Sequence, residues 1–209
     1  MTVGILSIIT AYLLGSIPFS FIFTRLIKGT DIRHLGTGNA GAMNTVREAG
    51  LLPGIAVLLL DAAKGSLSVL IAQWLGAAPV YVFLAGLAAV TGHNWPVFLK
   101  FRGGRGIATT LGVLLPMMPL ELGISAAVML TIFVFTRSSG LATGAGLLIL
   151  PLALWASGRD ISLILYSVAL AIFLFLRNVL SLRRELARAG SLRRLIFQTG
   201  PPLWHTRKR

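Results

Sequence analysis

Val3-Gly-Ile-Leu-Ser-Ile-Ile-Thr-Ala-Tyr-Leu-Leu-Gly-Ser-Ile-Pro-Phe-Ser-Phe-Ile-Phe23 carries no charge, and the first cations of the chain, Arg25 and Lys28, follow directly after it. About 20 apolar residues rising 1.5 Å each cross the hydrocarbon core of a bilayer, so the stretch reads as a membrane span. A cleavable leader opens on a positively charged segment, and this start is uncharged. Cations placed only after the span put the N-terminus outside.

The rest of the chain repeats that pattern. Charged residues make up 12% of the 209, against about a quarter in soluble domains, so most of the chain has no water to face. Leu51–Leu75, interrupted by Asp61 and Lys64, is a second span, and Val80–Phe98 is a third. Ile107–Pro119 is apolar but short of a full crossing, a segment that is tilted, re-entrant or packed inside the bundle. Leu120–Thr136, Leu141–Ala156 and Ile161–Leu176 complete an expected all-α bundle of seven segments, N-terminus outside and C-terminus cytoplasmic.

The basic residues test this arrangement. With seven crossings, all nineteen lysines and arginines fall on the inner side except Arg159, which lies outside, and Lys64, which lies within a span. Removing one crossing inverts every later loop and destroys the asymmetry. The net charge of +13 is therefore read as cytoplasmic loops touching anionic headgroups, not as a nucleic-acid surface. Residues 1–181 form the expected transmembrane domain and 182–209 a basic cytoplasmic tail. In that tail Leu182, Leu186, Ala189, Leu192 and Ile196 recur at spacings of three and four opposite arginines, the pattern of a helix lying among headgroups. No cysteine is present, and His34, His93 and His205 have no ligand spacing, so neither a thiolate nucleophile nor a metal site is expected.

Three polar clusters interrupt the apolar chain, all toward the cytoplasmic side. The first runs from Asp31 to Arg47. Its close-set glycines allow φ > 0 and let successive N–H groups converge on an anion. Thr37, Asn39 and Asn44 add neutral hydrogen bonds, and Arg47 adds a fork suited to phosphate. A plain interhelical turn explains such a loop equally. The second cluster is Asp61-Ala-Ala-Lys64-Gly65, where acid and base stand one helical turn apart inside a span. Both a buried ion pair locking two helices and a direct substrate role fit that placing.

The third cluster runs from Gly92 to Thr109. Gly103-Gly104-Arg105-Gly106 leads straight into an apolar segment whose opening amides can face an anion, although it is no Walker loop. His93 is either a base or a helix-end hydrogen-bonding residue. Two glycine-rich basic loops and an intramembrane Asp/Lys point to a phosphate-bearing substrate met at the membrane surface. Without a Ser/His/Asp set or paired carboxylates, electrostatic stabilisation has to carry the chemistry.

These residues resemble the acyl-phosphate:glycerol-3-phosphate acyltransferase (PlsY) family, and the likeness runs to about Asn178. It rests on Gly15-Ser-Ile-Pro18; Gly36-Thr-Gly-Asn39 with Ala42-Met-Asn44 and Arg47; Asp61-x-x-Lys64-Gly65; and Gly92-His-x-x-Pro96 through Phe101 to Thr109. The resemblance implies transfer of an acyl group from acyl phosphate to the 1-hydroxyl of glycerol 3-phosphate without a cofactor or an acyl-enzyme, at the inner face of a bacterial plasma membrane. It implies His93, Asn178, Asp61 and Lys64 as catalytic candidates. Thr37, Gly38, Asn39, Asn44, Arg47, Gly103, Gly104, Arg105 and Gly106 are the phosphate-binding candidates.

The chain departs from the family pattern at Thr37 (usually Ser), Met43 (Thr), Arg105 (Lys), Gly140 (Ser) and Phe175 (His), and in its arginine-rich tail. A non-catalytic relative that binds or moves an anionic lipid or phosphate compound is the competing reading. A membrane-surface docking protein working through its tail is a third.

Overall fold

The structure, a computed structural model, describes residues 1–136 and 138–189. Among them are nine α-helices, two 3-10 turns and no strand. They form two compact units, one over Met1–Met117 and one beginning at Met118. Five helical stretches are long and apolar enough to cross a membrane: Thr2–Lys28, Leu51–Trp74, Pro79–Leu99, Pro119–Thr136 and Ile161–Val179. Gly140–Ala156 is shorter.

The first unit holds α1 (Thr2–Gly15), α2 (Phe19–Lys28), α3 (Ala42–Ala49), α4 (Leu51–Trp74), α5 (Pro79–Asn94) and α6 (Ile107–Leu114). The stretch expected as one unbroken span, Val3–Phe23, is thus two helices. Pro18 has no N–H and its ring crowds the preceding turn. Ser16 and Ile17 therefore bond back to Tyr12 and Leu14, and the chain restarts at Phe19. The polar first loop contains α3, which the sequence reading left without structure. The short segment is shorter still: α6 has 8 residues, about 12 Å of rise against a hydrocarbon core of about 30 Å.

Small residues let these helices touch backbone to backbone. A Cβ on Gly15 would collide with the Ala89 carbonyl, one on Gly92 with the Tyr12 carbonyl, and one on Gly112 with the Ala62 carbonyl. Such contacts replace the hydrophobic drive that lipid-facing helices lack. Hydrogen bonds add to them: Ser66 Oγ donates to Gly112 O at 2.7 Å, Tyr12 Oη to Trp95 O at 2.9 Å, and Ser20 pairs with Thr45 at 2.8 Å.

The second unit holds α7 (Pro119–Thr136), α8 (Ser139–Ala156) and α9 (Ile161–Ala189). Ser125 Oγ on α7 donates to Gly146 O on α8 at 2.7 Å. Glu121, 1% exposed, is held by Arg159 Nε at 2.7 Å, an ion pair the sequence reading did not foresee. Arg137 lies outside the described residues, as does the side-chain pattern of the amphipathic tail expected over Leu182–Ile196.

Candidate active site

The site in the first unit is built from two loops. In the loop before α3, Asp31 caps a 3-10 turn over Ile32–His34 by accepting from Arg33 N at 2.9 Å. The Arg33 guanidinium grips the same carboxylate, with Nη2 to Oδ2 at 2.6 Å, and holds Asp31 below the usual carboxylate range. The chain then turns through Gly36 and Gly38, with φ of 52° and 74°.

Asn44 fixes this turn from beneath. Its Nδ2 donates to Leu35 O and Asn39 O at 3.1 Å each, while its Oδ1 accepts from Thr37 N at 3.1 Å. At 2% exposure Asn44 spends its amide on the shape of the loop. Thr37 and Gly38 are exposed at the crest, Asn39 is half-buried, and Arg47 lies in the last turn of α3.

The second loop leaves α5 at Asn94 and enters α6 at Gly106. Gly103 N donates to Asn94 O at 3.2 Å and Gly104 N to His93 O at 3.0 Å. These two amides are therefore turned toward α5, which leaves the opening amides of α6 to face outward from the loop. The glycines serve close approach instead. A Cβ on Gly104 would run into the His93 ring and sit 2.7 Å from Ala40 O, so this residue seals the two loops together. Gly106, at φ 81°, is the N-cap of α6, and the first-turn amides after it have no helical acceptor. Arg105, half-buried, stands between the sealing glycine and the helix start.

Below the loops lies a buried ionic cluster. Lys64 Nζ is 2.8 Å from Asp61 Oδ1 and donates to Ile17 O at 2.7 Å, in the break between α1 and α2. His93 Nδ1 is 3.5 Å from the same Asp61 oxygen. Asp61, Lys64 and His93 are 1%, 4% and 7% exposed. A small cavity of about 10 Å³ beside them has room for about one water. His93 thus joins the acid on α4 to the floor of the second loop, since its Nε2 edge faces Gly104.

Asn178 belongs to the second unit, where Nδ2 donates to Leu174 O at 2.7 Å. One turn earlier Phe175 is 62% exposed. A Cβ on Gly140 would meet nothing nearer than Ser138 Oγ at 4.0 Å, so the small residue there reflects no lack of space. Arg33 lies within the first cluster, and the sequence alone assigns it no role. The signal was its place two residues after the capping Asp31.

The family model described as glycerol-3-phosphate acyltransferase matches residues 5–188. Glycerol-3-phosphate acyltransferase 1 of Dehalococcoides mccartyi is 39% identical over 91% of this chain and 95% of its own length. Glycerol-3-phosphate acyltransferase 2 of Moorella thermoacetica is 50% identical over 64% of this chain and 68% of its own. Crystal structures of PlsY, an integral membrane glycerol 3-phosphate acyltransferase, superpose with TM-scores of 0.81 for the glycerol 3-phosphate form and 0.79 for the lysophosphatidic acid form. These cover 88% of this chain and 92% of that one, at 35% and 34% identity.

Proposed function

The chain belongs to the glycerol-3-phosphate acyltransferase family, and from that footing we propose that it moves a fatty acyl group from acyl phosphate to glycerol 3-phosphate at the cytoplasmic face of a bacterial inner membrane. The observation that carries the reading is the seal between the loops. Gly104 against Ala40 and His93 brings Arg105 and the α6 N-terminus to the loop that precedes Arg47.

Fixed positive charge there suits phosphate groups, and two substrates each bring one. The 1-hydroxyl of glycerol 3-phosphate attacks the acyl carbon, the bond from that carbon to the phosphate oxygen breaks, and the departing phosphate takes the hydroxyl proton. Products are lysophosphatidic acid and inorganic phosphate. The protein supplies position and electrostatic stabilisation, with no covalent intermediate.

In this reading Asp61, Lys64 and His93 hold the floor of the site, and Asn44 and Gly38 hold its shape. Thr37, Asn39, Arg47, Arg105 and the α6 amides meet phosphate. The fold is a seven-segment bundle with N-terminus outside and C-terminus inside, and residues 182–209 anchor on anionic headgroups.

The test uses purified protein in micelles with palmitoyl phosphate and glycerol 3-phosphate, following phosphate and lysophosphatidic acid. Acceptor-dependent turnover is expected. Arg47→Ala should reduce it by at least about a hundredfold, the scale of losing a charged partner to a transition-state phosphate. Binding of glycerol 3-phosphate without turnover in the folded wild type would instead favour the non-catalytic relative, with Gly140 and Phe175 as the cause.

A further inference from the structure

Arg33 makes two kinds of contact. Nε and Nη2 lie on Asp31 at the foot of the first loop, and Nη1 crosses to the second, donating to Leu99 O at 2.8 Å. Leu99 ends a 3-10 turn over Val97–Leu99, and the next two residues, Lys100 and Phe101, adopt φ of 54° and 60°. Two consecutive non-glycine residues in the left-handed region persist only where their surroundings hold them.

Their side chains do not supply that hold, because Phe98, Lys100, Phe101 and Arg102 all point outward and are exposed. The turn's internal bonds are longer: Phe101 N to Pro96 O at 3.0 Å, Arg102 N to Leu99 O at 3.3 Å, and Lys100 N to Val97 O at 3.4 Å. The shortest bond on the turn is the one from Arg33. Immediately beyond it come Gly103, Gly104 and the capping Gly106.

We infer that Arg33 is a positioning residue for the second phosphate loop: clamped on Asp31, it holds the Leu99 carbonyl, keeps the left-handed turn closed, and so sets where Gly103–Gly106 stand relative to the first loop. Arg33 acts here through position and not through substrate contact, since its charge is met by Asp31 and each of its three guanidinium nitrogens already donates a hydrogen bond within the protein. The kinetic part of the inference rests on the acyltransferase reading above. The structural part does not.

The experiment compares wild type, Arg33→Ala, Arg33→Lys and Arg33→Ala with Phe101→Gly, all in micelles. Arg33→Ala should raise KM for one of the two phosphate substrates about tenfold, the loss of one charge-assisted hydrogen bond, with kcat within about twofold. Arg33→Lys should recover part of the KM. Adding Phe101→Gly should recover part of it as well, because glycine occupies the left-handed region at no cost. A general loss of stability would not be repaired by a glycine in an exposed turn.

Independently of activity, trypsin should cut after Lys100 or Arg102 at least about tenfold faster in Arg33→Ala, as an opened turn requires. Unchanged KM values, a kcat loss alone, or no rescue by Phe101→Gly would overturn the positioning role. Unchanged cleavage would overturn the clamp. A wild type that does not turn over would sink the acyltransferase reading, and the cleavage rates would still judge the clamp.

Discussion

Asn44 and Gly104 divide the work of the two loops. Asn44 spends its amide on the turn above it, and Gly104 has no side chain because His93 and Ala40 O fill that space. Gly104→Ala is therefore expected to lower turnover by at least about tenfold, as overpacking of 1–3 kcal/mol displaces Arg105 and the helix start. Gly123→Ala, whose Cβ would meet nothing within 4 Å, should leave turnover unchanged in the same assay. Equal losses in the two variants would remove close approach as the reason for the glycine. Thr37, Arg47 and Arg105 were legible as phosphate candidates because their types suit anions. That Asn44 bonds Leu35, Thr37 and Asn39, and that the Gly103 and Gly104 amides bond the Asn94 and His93 carbonyls, was not legible, since both depend on how each loop folds back on itself, which residue type alone does not specify.

Among the elements, the break between α1 and α2 carries the clearest consequence. It leaves Ile17 O as an acceptor for Lys64, which in turn balances Asp61 on the next turn of α4. Removing the base alone leaves an acid buried at 1% exposure with only His93 beside it. Lys64→Met should therefore cost about 3–5 kcal/mol, and Lys64→Met with Asp61→Asn distinctly less. Thermal unfolding in detergent would show this as a non-additive cycle, and additive losses would mean the pair is not coupled.

Hydropathy marked α4, α5, α7 and α8 to within a few residues, because apolar runs bounded by turns leave little choice. It missed the break at Ser16–Pro18, because the stretch stays uncharged across it and a hydropathy average does not register the missing N–H of Pro18. It also missed α3, which is too polar and too short to show a span.

At the scale of the whole molecule, the charge distribution is the argument for orientation. Arg25, Lys28, Arg33 and Arg47 cluster around the first loop and Lys100, Arg102 and Arg105 fill the second, while the turn between α8 and α9 holds a single cation, Arg159, beside Asp160. The chain has no cysteine, so a single introduced thiol has no background. In intact cells a membrane-impermeant maleimide is expected to label Asp160→Cys and to leave Arg102→Cys unlabelled until lysis. The reverse pattern would invert the topology and place the site on the wrong side for a cytoplasmic substrate. The Glu121–Arg159 pair, by contrast, was hidden from this reading, because its members lie 38 residues apart on separate segments.

The near-absence of space beside Asp61, Lys64 and His93 also bears on fidelity. The cavity beside these three residues has room for about one water, so a donor whose acyl carbon reacts above them would meet bulk solvent from the same side as the acceptor. Water and acceptor would then compete for one approach, and the leak of donor to simple hydrolysis would rise as the acceptor runs low.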